Sequence, residues 1–185
     1  MRRRAEQIDE TRQRITEAAV KLHTSVGPAN TTLSAVADEA GVTRLTVYRH
    51  FEDLDALFVA CMGHWNTVNP GPNLDAWRAI GPLEIRAERA FRELYEWYAA
   101  RHEELYPIYR DRAAMPETAQ QAMAAQTDAI ASAIVPALPP ADRVQVAVAR
   151  HLVDFWTWRS LVVERGLDAD EARESAVAML LAVDR

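Results

Sequence analysis

The sequence is poor in features that would mark a membrane-spanning, disulfide-bonded or zinc-binding protein. No apolar run approaches the roughly 20 residues that a membrane helix needs, and the basic start leads into acidic residues rather than an apolar signal core. Cys61 is the only cysteine, which excludes an internal disulfide and a cysteine-rich zinc site. We therefore expect a cytoplasmic protein that spans no membrane, with Cys61 as an ordinary small buried residue.

The sequence also lacks the motifs of common catalytic sites. We find no nucleophile motif, no glycine-rich phosphate loop and no Glu-x-x-His repeat of the kind that holds two metal ions in a helical bundle. His151 and Asp154 are spaced for one face of a helix, but they lack a third ligand, and we interpret them as a helical hydrogen-bonded pair. We predict no catalytic residue, no metal and no other cofactor; an all-helical metal enzyme is the least favoured alternative.

Charge is distributed unevenly along a chain of otherwise ordinary globular composition. The 185 residues are 49% hydrophobic and 26% charged, and the net charge of −6 argues against a protein that coats nucleic acid by bulk electrostatics. Basic charge is concentrated in two short stretches. Residues 2–14 contain five arginines and three acids, and residues 43–50 contain Arg44 and Arg49 with no acid.

Helical periodicity runs through the whole chain, and no strand pattern interrupts it. The predicted helices cover residues 8–26, 33–40, 44–50, a segment from residue 54, 82–105, 117–135, 142–165 and 169–183. Pro107 is expected to bend or end one helix, and Pro136, Pro139 and Pro140 to close another. The breaker cluster at residues 69–73 predicts an irregular connection. The fold class is therefore all-α.

The stretch ADEAGVTRLTVYRHF, residues 37–51, reads as one helix interrupted by Gly41. Glycine tolerates the left-handed backbone that a tight turn between two helices requires, so we predict such a turn here. Thr32 and Thr43 have side-chain oxygens suited to cap the helices on either side of it. The pattern is that of a helix-turn-helix.

The outer face of the second helix of this pair has hydrogen-bond donors and no acid. It is formed by Arg44, Leu45, Thr46, Tyr48, Arg49 and His50. Arginine forks onto guanine or phosphate, hydroxyl and imidazole groups reach phosphates, and a leucine can contact a thymine methyl. We predict that this helix enters the major groove of double-stranded DNA. The alternative is an antiparallel helix pair with a solvated face.

Residues 8–62 resemble the DNA-binding domain of the TetR family of bacterial repressors. The match is carried by Ala37, Gly41-Val42-Thr43, Val47-Tyr48-Arg49-His50-Phe51 and Leu57. The resemblance implies an all-helical dimer with a DNA-binding head, a helical body that binds an inducer, and repression. By position, Arg44, Leu45 and Thr46 correspond to base-reading and adjacent backbone positions, Tyr48 and His50 to phosphate contacts, and Thr32 and Ser34 to contacts from the preceding helix; Thr43 and Arg49 complete the predicted DNA-binding set.

The C-terminal part of the chain carries more apolar surface than one core needs. The predicted helix over residues 142–165 is apolar on two faces, and the helix over 169–183 has a similar surplus. A two-fold homodimer through a four-helix bundle would cover both surfaces, with Val148 and Leu180 at its interface. The alternative is a monomer with a thick core. We predict a helix-turn-helix DNA-binding domain over residues 1–53 and a helical-bundle ligand-binding and dimerisation domain over 54–185.

All five tryptophans lie outside the predicted DNA-binding domain. Trp97, Tyr98, His102 and Trp156 are our candidates for an apolar site that binds a small, mostly apolar or aromatic inducer. Simple core packing of the aromatic residues and a satisfied core histidine are the open alternatives. A DNA-binding regulator without an inducer is the alternative for the function, beside the predicted repressor that binds a pseudo-palindromic operator.

Overall fold

The computed structural model describes residues 2–135 and 143–183, with side chains from residue 6 onward. Within these ranges every regular element is a helix, which confirms the all-α prediction. The helices are α1 (Arg2–Ser25), α2 (Leu33–Glu39), α3 (Arg44–His50), α4 (Leu54–Val68), α5 (Leu74–Arg78), α6 (Leu83–Arg110), α7 (Glu117–Ile134), α8 (Arg143–Leu152), α9 (Phe155–Arg159) and α10 (Ala169–Ala182). Among the described residues, no helix has both the length and the apolar character that crossing a membrane requires.

The described residues divide into two compact units. The first contains the chain up to Pro70 together with His102–Gln121, and the second contains Gly71–Arg101 and the described residues from Ala122 on. Helices α6 and α7 therefore contribute residues to both units. The boundary at residues 53 and 54 stays a prediction.

The core of the first unit is built from one face each of α1, α2, α3 and α4. Its fully or nearly fully buried members are Ile15, Ala18, Ala19, Val36, Ala37, Ala40, Val47, Phe51, Leu57 and Cys61. Their helical spacing explains why these faces pack together. The Cys61 thiol donates to Thr16 O at 3.8 Å, and burial raises the pKa of Cys61 to about 12. The prediction of an ordinary buried cysteine is confirmed.

The core of the second unit is formed by α6 together with α7, α8, α9 and α10. The buried face of α6 contributes Ala87, Ala90, Phe91 and Leu94, and α10 contributes Ala172, Ala176 and Leu180. Trp77 of α5 is fully buried, and its indole Nε1 donates to Glu93 at 2.7 Å. These interactions are core packing of the kind expected for amphipathic helices.

The predicted continuous helix over residues 142–165 is wrong, because α8 ends at Leu152 and α9 starts only at Phe155. Asp154 is the N-cap of α9, where its side chain accepts from Trp156 N at 2.8 Å. The interpretation of His151 and Asp154 as a pair within one helix is therefore also wrong. Beyond α9, residues Ser160–Glu164 form a π-helical turn.

Three other helix limits differ from the sequence predictions. α6 runs through Pro107 and ends at Arg110, although proline removes one intrahelical hydrogen bond. α5 lies just after the breaker cluster, where the Asn73 side chain caps it by accepting from Ala76 N at 3.1 Å. α1 begins well before residue 8, at Arg2. The predicted role of Pro136, Pro139 and Pro140 as a helix end, and the predicted start at residue 142, lie outside the described residues.

Candidate nucleic-acid interface

The turn between α2 and α3 is a Schellman motif centred on Gly41. Val42 N donates to Ala37 O at 2.9 Å and Gly41 N donates to Asp38 O at 3.1 Å, the two hydrogen bonds of that motif. Gly41 has φ +65°, and a Cβ there would meet no atom within 4 Å. Glycine is therefore required by the backbone conformation and not by lack of space.

Threonine hydroxyls cap both helices of the pair, as the sequence predicts. Thr32 Oγ1 accepts from Ala35 N at 3.1 Å at the start of α2. Thr43 Oγ1 accepts from Thr46 N at 3.2 Å at the start of α3, and the Thr43 and Thr46 hydroxyl oxygens lie 2.9 Å apart. These bonds set where each helix begins, and they engage three hydroxyls that the sequence assigns to DNA.

The outer face of α3 separates cleanly from its core face. Val47 is buried in the core, whereas Leu45 is 58% exposed and Tyr48 50% exposed. Arg44 and Arg49 are also exposed. Since α3 contains no acidic residue, its exposed surface presents two guanidinium groups, a phenol and a leucine side chain.

The remaining residues of the predicted DNA-binding set are placed less uniformly. Thr32 and Thr43 are exposed, and Ser34, Thr46 and His50 are half-buried. All of them lie within α2, α3 or their caps, so the structure brings the whole set into one helix pair. Their contacts with DNA stay predictions.

Arg12 of α1 lies at the C-terminal end of α3. Its guanidinium donates to His50 O and covers the Phe51 ring, with its central carbon 4.1 Å from the ring centroid. His50 is the last residue of α3, and the Phe51 backbone is extended, with φ −132°. The sequence shows Arg12 only as one member of a basic stretch, because its partners are 38 and 39 positions away.

A second arginine binds the backbone between α1 and α2. Arg110 pairs with Asp111 through Nε–Oδ1 at 2.7 Å and Nη2–Oδ2 at 3.0 Å, and Arg110 Nη2 also donates to Val26 O at 3.0 Å. Asp111 Oδ2 accepts from Ala29 N at 3.1 Å. The Arg110 guanidinium keeps the pKa of Asp111 below its usual value. This clamp, Arg110 with Asp111, fixes the connection that precedes α2.

In the second unit, aromatic rings form a connected series that we call the aromatic cluster: Trp97, Tyr98, Phe155, Trp156 and Trp158. Successive ring centroids lie 5.6 Å apart for Trp97 and Tyr98, 5.5 Å for Tyr98 and Phe155, and 5.6 Å for Phe155 and Trp156. Trp158 contacts both Tyr98 and Phe155. Three of the four predicted ligand-binding residues therefore belong to one cluster.

The members of the aromatic cluster differ in how much surface they leave accessible. Tyr98 is buried, and its hydroxyl donates to Val153 O at 2.8 Å. Trp97 is half-buried and Trp156 is 40% exposed. His102, the fourth predicted residue, is half-buried on α6 and belongs to the first unit. The role of these four residues in ligand binding stays a prediction.

The described residues show no arrangement suited to a metal. In residues 2–135 and 143–183, no group of three or more His, Cys, Asp or Glu side chains is placed to hold an ion. Asp154, which the sequence paired with His151, instead accepts a backbone hydrogen bond as a helix cap.

Comparison with known proteins finds matches to the segment that contains the helix-turn-helix. Residues 15–61 match the family model of the bacterial regulatory proteins of the tetR family. The HTH-type transcriptional regulator AcrR of Shigella flexneri is 40% identical over 57 residues, which are 31% of this chain and 26% of that protein. The HTH-type transcriptional regulator TtgR of Pseudomonas putida is 42% identical over 62 residues, 34% of this chain and 30% of TtgR. The matched segment thus spans less than a third of each relative's length.

Solved structures share the fold over almost the whole chain. The multidrug binding protein EbrR, complexed with imidazole, has a TM-score of 0.63 at 24% identity and covers 92% of this chain and 89% of its own. NalD, the secondary repressor of the MexAB-OprM multidrug efflux pump in Pseudomonas aeruginosa, has a TM-score of 0.65 at 17% identity, with 96% of each chain covered. At these identities the likeness establishes the fold.

Proposed function

We propose that this chain is a member of the TetR family of bacterial regulatory proteins, a DNA-binding transcriptional regulator that represses by binding a pseudo-palindromic operator as a homodimer. The observation that carries the proposal is the acid-free outer face of α3, held in place by the Schellman turn and the Thr43 cap. A helix presented in this way is what a helix-turn-helix inserts into the major groove.

The exposed side chains of α3 divide into two chemical roles. We assign base reading to Arg44 and Leu45, since a guanidinium forks onto guanine and an apolar side chain contacts a thymine methyl. Tyr48, Arg49 and His50 are assigned to the phosphate backbone, which positions the protein without reading sequence. Thr32 and Ser34 would supply further backbone contacts from α2.

The homodimer is supported by apolar side chains that the single chain leaves exposed in its second unit. Val144 is 53% exposed, Val163 45% and Met179 43%. Leu180, expected from the sequence at the interface, is fully buried within its own chain, so a change there would damage the core instead. A dimer would present two recognition helices about 34 to 36 Å apart, one turn of DNA.

The dimer is tested by light scattering of the wild type at micromolar concentration. The double variant Val163→Lys/Met179→Lys should place four like charges around the two-fold axis and shift the mass to that of one chain. Val59→Lys, at a 61% exposed position of α4, is the matched control. A wild-type mass of one chain would refute the dimer.

We further propose that a small, mostly apolar or aromatic molecule binds the second unit and releases the protein from DNA. The proposal is supported by the aromatic cluster, with half-buried Trp97 and partly exposed Trp156, and by likeness in fold to EbrR, which is described as multidrug binding. Weakening operator binding a hundredfold requires only about 2.7 kcal/mol of differential ligand affinity between two states. A regulator without an inducer remains the alternative function.

DNA binding is tested by selecting duplexes from a random library with the wild-type protein and titrating the best one at fixed salt. Arg44→Ala should weaken binding by about 1 to 3 kcal/mol and relax the preference at one base pair, whereas Tyr48→Ala should weaken all duplexes evenly. Arg78→Ala, at an exposed arginine of the second unit, is the control. If no duplex is enriched, or if both α3 variants bind like wild type, the assignment is wrong.

Inducer binding is tested through linkage. Planar and lipophilic compounds are screened by tryptophan quenching, and each hit is titrated with the free protein and with its operator complex. A true inducer must bind the free protein more tightly by the same factor as it weakens DNA binding. Trp97→Ala and Trp156→Ala should weaken that binding. Hits that bind both states equally would favour the regulator without an inducer.

A further inference from the structure

A residue of α1 contacts the C-terminal end of α3. α3 has seven residues; Val47 O accepts from Phe51 N at 2.9 Å, and the later carbonyls of the last turn lie beyond the intrahelical hydrogen bonds. The Arg12 guanidinium donates to one of these, His50 O, and places its positive charge at the negative end of the helix dipole. The same group lies over the ring of Phe51, the residue at which the helix stops.

We propose that Arg12 is a positioning residue for DNA recognition: it fixes the C-terminal end of α3 and thereby sets which base edges the outer face of α3 reaches. The proposal rests on the proposed function of α3 as the recognition helix. The Schellman turn and the Thr43 cap fix only the N-terminal end of α3. Val47 and Phe51 anchor one face of α3 in the core. Arg12 adds a second fixed point at the last carbonyl of α3, from a different helix.

Two fixed points matter because a seven-residue helix carries Arg44 at one end and Tyr48 and Arg49 near the other. Its length is only about 10 Å, from a rise of about 1.5 Å per residue. A small tilt about the N-terminal turn therefore moves Tyr48 and Arg49 relative to Arg44. When Tyr48 and Arg49 then engage their phosphates, Arg44 and Leu45 are displaced from the base edges that they read. Contacts that specify sequence require side chains held within fractions of an ångström, whereas non-specific phosphate contacts tolerate such movement.

The geometry also predicts that the planar guanidinium group of Arg12, and not only its positive charge, is needed to hold the end of α3. A guanidinium is planar, so it can stack on the Phe51 ring while its edge donates to the His50 carbonyl. The lysine ammonium is a compact, strongly hydrated charge and cannot do both. Lysine should therefore fail to replace Arg12 as a positioning group, although it would replace an arginine that simply contacts a phosphate.

The test compares Arg12→Lys and Arg12→Met with the matched pair Arg14→Lys and Arg14→Met, at an exposed arginine two positions along α1. Each variant is titrated with the duplex selected by the wild type and with a scrambled duplex of equal length, over a series of salt concentrations. Hydrogen exchange of the free protein is followed in peptides covering α2, α3 and α4. Thermal unfolding of each variant is recorded in parallel.

We expect both Arg12 variants to lower affinity for the selected duplex about tenfold, and affinity for the scrambled duplex hardly at all. The salt dependence should be unchanged, and exchange should accelerate in α3 but not in α2 or α4. The Arg14 variants should leave the ratio of the two affinities at the wild-type value. This ratio and the local exchange would not move if Arg12 only added to global stability.

Three outcomes would overturn the proposal. Full rescue by lysine, with a salt slope lower by about one in Arg12→Met, would make Arg12 a direct phosphate contact. Equal weakening for both duplexes, or faster exchange throughout the first unit, would make its role one of general stability. Wild-type behaviour of both variants would leave Arg12 without a role. A wild-type protein that enriches no duplex would instead refute the proposed function.

Discussion

Two helix breaks in the described part of the chain are built on different principles. The first, at Gly41, separates α2 from α3 and is closed by local hydrogen bonds from Gly41 and Val42 to the end of α2. The second lies between Leu152 and Phe155 and contains no glycine. There the Tyr95 hydroxyl donates to Leu152 O at 2.9 Å and the Tyr98 hydroxyl to Val153 O at 2.8 Å.

The difference shows that a helix break can be encoded nearby or far away in the sequence. At Gly41 the residues that satisfy the freed backbone groups are within five positions of one another. At the second break the donors lie far earlier in the chain: Tyr98 is 55 positions before Val153, and Tyr95 is 57 positions before Leu152. The two tyrosines lie one turn apart on α6. Because a buried carbonyl without a partner is unfavourable, those two phenols make the second break possible.

The largest effect should come from removing both distant donors. Tyr95→Phe/Tyr98→Phe keeps the rings but leaves the carbonyls of Leu152 and Val153 without their donors. Each such loss is worth about 1 to 3 kcal/mol, so we expect the free energy of unfolding to fall by about 2 to 6 kcal/mol in the double variant. Urea unfolding followed by tryptophan fluorescence measures it, since Trp77, Trp97, Trp156 and Trp158 all belong to the second unit.

Tyr48→Phe is the control for this experiment, because Tyr48 is half exposed and lies in the first unit. Its unfolding free energy should stay within about 0.5 kcal/mol of the wild type. If the double variant is equally stable, the second break does not depend on the tyrosine hydroxyls and the comparison fails. Burial raises the pKa of Tyr95, so its hydroxyl keeps its proton over the usual pH range.

The helix-turn-helix could be predicted from sequence because its determinants are local. Gly41 supplies the positive φ, and Thr32 and Thr43 supply the caps that the structure shows. The break at Val153 was missed for the opposite reason. Asp154 is a capping residue by type, but a capping residue inside a helical pattern does not end a helix unless distant groups satisfy the carbonyls before it.

The same distinction applies to the candidate sites. The outward position of Arg44 and Tyr48 follows from helical periodicity about buried Val47, so it could be predicted. Arg12 could not, since its partners His50 and Phe51 are brought to it by the packing of α1 on the other helices. Periodicity placed Tyr98 on an apolar stripe but could not show that its hydroxyl is already bound to the protein.

Acid should lower the stability of the first unit, because that unit contains a buried histidine. His23 is buried in the first unit, where it stacks on Phe58 with ring centroids 4.5 Å apart, and burial lowers the pKa of His23 to about 4. The unfolded chain has the higher pKa, so it binds more protons between pH 6.5 and 4, and stability falls as the pH falls through that window. The loss should reach about 3 kcal/mol, at about 1.4 kcal/mol per pKa unit.

His23→Phe is the matched variant, because phenylalanine keeps a ring against Phe58 and cannot be protonated. The difference in unfolding free energy between the variant and the wild type should be constant above pH 6.5 and grow in favour of phenylalanine down to about pH 4. Urea unfolding followed by circular dichroism gives both curves. Parallel curves across this range would show that His23 is not held neutral in the folded protein.

Gly27 lies in the first unit and can be compared with Gly41. Glycine is required at position 27 both by the backbone conformation and by the lack of space for a Cβ. Its φ of 94° and ψ of 156° lie in a region that only glycine occupies readily. A Cβ there would also overlap Asp111 Oδ2 in the clamp formed with Arg110. Gly27→Ala should lower stability by about 2 kcal/mol, measured by urea unfolding. In an Asp111→Ala background, Gly27→Ala should lower the free energy of unfolding by less. An equal loss in both backgrounds would show that the Asp111 side chain can move away from residue 27 without loss of stability.

Gly41 should show the smallest effect, because only its backbone conformation is demanding. A Cβ at Gly41 meets no atom within 4 Å, so Gly41→Ala introduces strain at φ +65° and no collision. The expected cost is about 1 kcal/mol, measured by urea unfolding, and Gly41→Asn should cost less because asparagine tolerates the left-handed region. Operator affinity should follow the same order, since the turn fixes the N-terminal end of α3. If Gly41→Ala loses as much stability as Gly27→Ala, side-chain space also matters at this break. If Gly41→Asn is no more stable than Gly41→Ala, the positive φ is not the reason for glycine at this position.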